Sequence, residues 1–323
     1  MRVLVTGGFG NIGRSALGEL RRCGHRVRVL SPPRQALLGL ARALDVEPFA
    51  GSVCRLEDVR AATRGQDVVV HLAAVIPPAS DEQPERARAV NLDGTRNVVE
   101  ALREATRPPR LLFASTFDVY GPTTHLPPPR RLDDPVQPTD GYSRHKIAGE
   151  EMVRASGLTY SIFRFSDVPM IALRPAHPIM FEIPLDTRIE TLHTRDAGLA
   201  VANALGGDAA WDRTLLVGGG GRCQVTFGDY MARMLTAVGI GPLPAEAFGT
   251  RPYYTDWLDT AETESLLRYQ RHSFDDIVRD IASLLGPRRH LVTLLRPLLR
   301  RRMLALSPYW RARKLRSRTA PRP

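Results

Sequence analysis

Cysteine is scarce. Three residues, Cys23, Cys54 and Cys223, are spread over 323 positions. They are too few and too scattered for a disulfide framework or a zinc site, and no metal-ligand cluster stands out. The expected setting is therefore reducing and cytoplasmic. Long apolar runs are also lacking. No uninterrupted stretch approaches the ~18–20 residues of a membrane span. Met1 leads straight into Arg2-Val3-Leu4-Val5, which reads as a strand and not as a secretory leader. Lysine is nearly missing: Lys146 and Lys314 are the only two. Acidic residues are missing from Pro287 onward, where twelve of the 45 Lys and Arg residues fall. The other 33 basic residues face 34 acidic ones, so the formal charge of +11 belongs to the tail. A nucleic-acid binder spreads its charge over a folded face; with a neutral body, no specific nucleic-acid partner is expected.

What is present is alternation. Strand patterns at 3–6, 27–30, 67–72 and 111–115, with a short one before Gly51, alternate with helical patterns at 11–22, 56–63 and 91–106. Strands so apolar, spaced by helices of this length, predict parallel pairing through right-handed crossovers, with both faces covered. A Pro-rich irregular stretch covers 121–139, and a helix is predicted over 142–156. The segment 167–184 holds four prolines and many apolar residues, and reads as a loop lining an apolar space. Further helices are expected at 196–205, 227–238, 260–269 and 273–285, and a strand at 214–217. The fold class is α/β. A doubly wound parallel sheet (Rossmann) would occupy 1–165, with 190–220 returning to it. A smaller substrate-binding subdomain would take 166–286, and a basic helical tail 287–323.

The first strand runs into Thr6-Gly7-Gly8-Phe9-Gly10-Asn11-Ile12-Gly13, which opens a helix. Gly8, Gly10 and Gly13 satisfy G-x-G-x-x-G in the context that motif requires. Glycines let the backbone approach a pyrophosphate, and the helix N-terminus offers bare N–H groups. Tyr142 and Lys146 lie one turn apart on a predicted helix face. A free phenol, with a pKa near ~10, is a poor base at neutral pH. An ammonium beside it would stabilise the phenolate. Lys146 is the only lysine in an arginine-biased body, which singles it out. Ser115-Thr116-Phe117-Asp118-Val119-Tyr120-Gly121 ends a strand, where a doubly wound sheet presents its ligand crevice.

These segments, with His71-Leu72-Ala73-Ala74, Asn91-Leu92-Asp93-Gly94-Thr95 and His193-Thr194-Arg195-Asp196, stand in the order and spacing of one family. Over about residues 1–240 the chain resembles the extended short-chain dehydrogenase/reductases, the NAD-dependent epimerase/dehydratase family. The resemblance implies Thr116, Tyr142 and Lys146 as catalytic residues, with Asn91 near them. It implies a dinucleotide on Gly7, Gly8, Gly10, Asn11, Ile12 and Gly13, on Leu72, Ala73 and Ala74, and on Lys146. Ser31 and Arg34 would lie at the ribose, and Ser52 and Val53 at the adenine. The implied activity is NAD(P)-dependent hydride transfer at an alcohol or ketone carbon.

Two departures matter. The second strand ends at Ser31-Pro32-Pro33-Arg34, without the carboxylate that usually holds a ribose 2′-hydroxyl. Arg34, Arg28 or Arg14 would meet a 2′-phosphate instead, which favours NADP over NAD. Also, only 26 residues separate Asp167 from His193, short for a nucleoside-diphosphate pocket. The expected substrate is thus an apolar alcohol or ketone; a nucleotide sugar, processed with no net redox, is the alternative. His71 and Asp196 read as structural, Asp196 as a helix cap. A non-catalytic NAD(P) sensor is a rival that the intact Thr116, Tyr142 and Lys146 oppose, and a membrane adaptor run by the tail is another.

In the tail, Val292, Leu295, Leu299, Met303 and Leu306 recur at helical spacing among arginines, with a kink expected at Pro297. Residues 288–310 could lie on an anionic membrane, with Tyr309 and Trp310 at headgroup level, making the protein peripheral there. Docking on the body or in a homodimer is the other expectation. From Arg311 onward the tail reads as disordered.

Overall fold

Val3, Leu4 and Val5 are wholly buried, and their side chains alternate between the two faces of one sheet. Val3 and Val5 join Leu17, Leu20, Ala197 and Val201 in one core. Leu4 joins Val59, Val98 and Leu102 in another. Strands with a core on each side are what a near-continuous apolar run requires. The computed structural model describes residues 1–312.

The chain order is β1 (Arg2–Thr6), α1 (Asn11–Arg22), β2 (Arg26–Ser31), α2 (Gln35–Ala43), β3 (Glu47–Ala50), α3 (Leu56–Thr63) and β4 (Val68–His71). Short helices α4 (Ala79–Glu82) and α5 (Pro84–Arg88) lead through a π-helical turn (Ala89–Asp93) into α6 (Gly94–Arg103). Then come β5 (Arg110–Thr116), α7 (Gly141–Arg154), β6 (Tyr160–Phe165), β7 (Arg188–Glu190), α8 (Thr194–Ala204), β8 (Arg213–Val217) and β9 (Gln224–Thr226). Helices α9 (Phe227–Ala237), α10 (Ala261–Leu267), α11 (Phe274–Ser283), α12 (Arg289–Leu294) and α13 (Arg296–Leu304) follow. Seven strands pair in the order β3-β2-β1-β4-β5-β6-β8, every pair parallel. This is the doubly wound order, and it sets the carboxyl ends of β1, β4, β5 and β6 side by side.

Beyond the sheet, β7 and β9 form a separate antiparallel pair. Phe181, Ile189, Phe227, Leu235 and Phe248 make a smaller core there. Asp196 is buried and clasps a distant turn, accepting from the Arg271 and His272 amides at 2.9 and 2.8 Å. It does not cap its own helix as expected; His193 does, its Nδ1 accepting from the Arg195 amide.

The tail docks on this smaller core. Met303, Leu306, Tyr309 and Trp310 pack against it, buried Ser307 donates to the Ala247 carbonyl at 2.6 Å, and Tyr309 donates to Glu182. The expected placement of Tyr309 and Trp310 at a lipid headgroup level is therefore corrected: both rings lie against the body. The predicted break occurs at Leu295, with Pro297 in the first turn of α13. Residues 308–312 are helical. The disorder expected from 311 therefore does not begin there, and 313–323, with Lys314, lie outside the described residues.

Helix α7 is fixed to the sheet by charge. Glu150 is buried and receives Arg164 of β6 in a two-pronged contact, Nε to Oε1 at 3.0 Å and Nη2 to Oε2 at 2.8 Å. Ser115 of β5 donates to the same carboxylate at 2.5 Å. Arg164 also donates to the Tyr120 hydroxyl at 2.7 Å. Burial pushes the Glu150 carboxyl up, but Arg164 and Ser115 more than offset it, leaving its pKa below the ordinary range. Glu150→Gln is expected to cost about 3 kcal/mol of unfolding free energy, because it leaves the Arg164 charge buried without a counter-charge. Arg154→Ala, which removes a half-exposed partner of the same carboxylate, is expected to cost under about 1 kcal/mol. Urea titrations of both variants check this; equal losses would contradict it.

Candidate active site

The loop after β1 is shaped by close approach. Gly7 has φ +68°, and a Cβ there would lie 2.6 Å from the Ala73 nitrogen. A Cβ on Gly13 would lie 2.4 Å from the Gly7 carbonyl oxygen. Only glycine fits either place. Helix α1 begins without a side-chain cap and without an acid in its first turn. Its N–H groups are left to an external anion, so the cradle fits a pyrophosphate. The Asn11 side chain turns elsewhere, donating to the Val168 carbonyl at 2.7 Å and tying the loop after β6 to the glycine loop. Leu72, Ala73 and Ala74 run alongside, with Ala73 N–H donating to Thr6 Oγ1. His71 is held between the hydroxyls of Thr6 and Thr95. Burial pushes its pKa down to about 3, so it stays neutral and structural.

At the ribose end, Ser31 closes β2 opposite Ala50. Arg34 is exposed at the start of α2. Arg14 lies back on the glycine loop, its Nε donating to the Phe9 carbonyl. Arg28 is spent on Glu47 and on the Ala62 carbonyl, which removes it from the three arginines named for a 2′-phosphate. The Ser52 amide is held by Asp58 at 3.0 Å, and the Val53 carbonyl accepts from Asn97 at 2.8 Å. Asp58, which the sequence does not single out, reaches that amide from the first turn of α3.

At the other end, Thr116 closes β5 and accepts from the Asp118 amide at 3.2 Å. Helix α7 starts from a reciprocal cap between Asp140 and Ser143, which puts Tyr142 in its first turn. Lys146 Nζ donates to the Ala114 carbonyl at 2.6 Å and lies 5.8 Å from the Tyr142 ring centre. The two thus share a face, as their spacing requires. Both are buried. Burial pulls the ammonium down to about 8. The phenol is pushed above its ordinary value, first by burial and then by the Asp118 charge, while a hydrogen bond to Thr116 acts the other way. The lowered phenol pKa expected beside Lys146 is therefore corrected: the phenol stands above its ordinary value. Asn91 is buried in the π-helical turn, and both ends of its amide serve Val75: Oδ1 accepts from the amide at 2.7 Å and Nδ2 donates to the carbonyl at 2.8 Å. It fixes the loop after β4.

Further carboxyls and phenols lie within electrostatic reach of Asp118, which acts on Tyr142. Burial pushes Asp118 up to about 8 and Asp167 up to about 6. Tyr253 and Tyr254 stack at 4.1 Å and share a 3.0 Å hydrogen bond. The charges of Asp118, Asp167 and Asp140 all act on Tyr253. Within 167–184, Phe181 is core with Met180 and Ile183 packed beside it, Ile171 packs against the Phe274 cluster, and Met170 and Leu173 are exposed. The segment is therefore part packing and part surface.

Residues 3–204 match the model of the NAD dependent epimerase/dehydratase family. The chain is 31% identical over 195 residues to D-erythronate dehydrogenase of Cupriavidus necator, covering 55% of this chain and 57% of that protein. It is 30% identical over 157 residues to a 3-beta-hydroxysteroid dehydrogenase of Mycolicibacterium neoaurum, covering 47% and 42%. The chain thus spans about half the length of these curated relatives. In fold it resembles the UDP-glucuronic acid 4-epimerase of Bacillus cereus, solved with UDP-glucuronic acid and NAD, at a TM-score of 0.74 and 20% identity, covering 89% of this chain and 99% of that one. With more than half of its length matched by the family model, the chain belongs to the NAD dependent epimerase/dehydratase family.

Proposed function

We propose that the chain is an NAD(P)-dependent oxidoreductase acting at the carbon of a small alcohol or ketone, with Tyr142 as its general acid–base. The observation that carries this reading is the buried juxtaposition of Tyr142 with Lys146 and with Thr116 at the carboxyl end of β5. A bound nicotinamide supplies the hydride chemistry. Gly8, Gly10, Gly13 and the first amides of α1 would hold its pyrophosphate, and Ser52 and Val53 would border the adenine. Thr116 and Tyr142 orient the substrate oxygen, and the proton passes between that oxygen and Tyr142 Oη. Lys146, whose ammonium lies beside the Tyr142 ring, would hold the nicotinamide ribose. Asn91 acts through Val75 as a positioning residue.

Asp118, Asp167, Tyr253 and Tyr254 supply no positive charge for a phosphate, which supports an uncharged substrate. The second reading is a nucleotide-sugar epimerase or dehydratase, favoured by the fold match to the UDP-glucuronic acid complex. Net change in nicotinamide absorbance during turnover separates the two, since an epimerase returns its hydride. For the cofactor, the missing carboxylate after β2 and the exposed Arg34 favour NADP.

Tyr142→Phe is expected to cut kcat by about 10²–10⁴-fold while leaving the dissociation constant of the cofactor unchanged, as read by nicotinamide fluorescence. Retained turnover would mean a different base. Arg34→Ala is expected to weaken NADPH about tenfold and leave NADH alone; an equal effect on both would assign NAD. Asp118 adds to the pKa of Tyr142 when ionised, so removing its charge lowers that pKa. In Asp118→Asn the acid limb of the kcat profile for alcohol oxidation is expected to move to lower pH. An unmoved limb would separate the two groups.

A further inference from the structure

The docked tail has two sides. Val292, Leu299, Met303 and Leu306 are partly buried, and the last two pack on the smaller core. On the other side Leu291, Leu294, Leu295 and Leu298 are exposed, from 43% at Leu295 to 75% at Leu294. Their spacing of three, four and seven places them on one helical face. The helical path continues through the break, with the Leu299 amide donating to the Leu295 carbonyl at 3.0 Å. Exposed Arg288 and Arg289 lie one turn before this stripe, and exposed Arg301 and Arg302 one turn after it. Nothing acidic lies between 287 and 323.

We propose that this stripe is a peripheral docking surface for an anionic lipid bilayer, the four leucines entering the headgroup boundary and the flanking arginines meeting lipid phosphates. Leucine between basic residues is the pattern of an interfacial helix, and charge of a single sign selects an anionic surface. A second copy of the same face would set arginine against arginine with no carboxylate to pair them. RNA would leave the leucines uncovered and finds His290 but no Tyr, Trp or Phe platform in this stripe, since Tyr309 and Trp310 pack on the body. Tyr309 and Ser307 fasten the far end of the tail, so the surface is held in place by the fold. This assignment does not depend on the oxidoreductase reading.

The test is co-flotation of the full chain with phosphatidylcholine vesicles, with and without phosphatidylglycerol. Binding is expected only with phosphatidylglycerol and is expected to weaken with salt. The double variants Leu294→Glu/Leu298→Glu and Arg301→Glu/Arg302→Glu are each expected to lower the bound fraction at least about tenfold. Arg107→Glu, a charge reversal on the exposed body, is expected to change nothing. All the variants are expected to keep the wild-type melting temperature. Equal flotation with neutral vesicles overturns the assignment. So does binding that the leucine variant retains, or a short RNA held at the salt at which vesicles are held. A dimer in solution that the leucine variant dissolves, or a melt it lowers, also overturns it by making the stripe a packing face.

Discussion

One face of α7 carries Tyr142, Lys146 and Glu150, each one turn from the next. The last of these governs the other two. Glu150 takes Arg164 from β6 and Ser115 from β5, so a single buried carboxylate locks the helix across two strands. Lys146 is then carried to the Ala114 carbonyl at the end of β5, and Tyr142 to the loop that follows Thr116. A buried ion pair is a poor source of net stability, since two charges must be dehydrated to make it. Its value here is positional. An apolar contact would let α7 slide, whereas a two-pronged guanidinium contact does not.

The electrostatics of the pocket run against the simplest picture of a tyrosine base. A lysine one turn away ought to make the phenol more acidic, yet burial raises the phenol and Asp118 raises it further. Burial also weakens the lysine's hold on its own proton. The same low-polarity setting therefore acts on both partners, each toward its uncharged form. A pair so arranged resists ionisation until something stabilises the phenolate. The Thr116 hydroxyl, which acts on Tyr142 in that direction, is the group at hand. Asp118 opposes it and sits two residues away on the same turn.

The strands that the sequence makes legible are short apolar runs: β1, β4 and β5 bury nearly every side chain on both faces, so their pattern needs no partner to be read. β6 is harder. Tyr160-Ser161-Ile162-Phe163-Arg164-Phe165 interrupts its apolar run with a serine and an arginine, and only the Glu150 partner makes a buried Arg164 intelligible. The glycine loop and the Tyr142–Lys146 pair are likewise legible, because each is written within eight residues. Asp58 reaches the Ser52 amide from the next helix, and Asp167 and the Tyr253–Tyr254 stack come from separate elements, so each takes its place only when the chain folds. Asp118 lies inside a legible motif, but its altered acidity follows from burial, which spacing does not encode.

The tail shows how one helical segment can carry two apolar stripes of opposite use. Periodicity picks out Val292, Leu295, Leu299, Met303 and Leu306, and most of that stripe faces the protein. The leucines it passes over, at 291, 294 and 298, face outward. Two stripes on opposite sides of one helix blur its amphipathic contrast, so periodicity alone does not tell them apart. What separates them is the company each keeps. Met303 and Leu306 of the inward stripe pack on the smaller core beside the anchoring Ser307, whereas the outward stripe has arginines at both ends. Four leucines left in water would cost hydrophobic free energy with no return. Arginines set just beyond them can reach phosphates while the leucines sit in hydrocarbon, and a surface offering both is a membrane whose headgroups are negative.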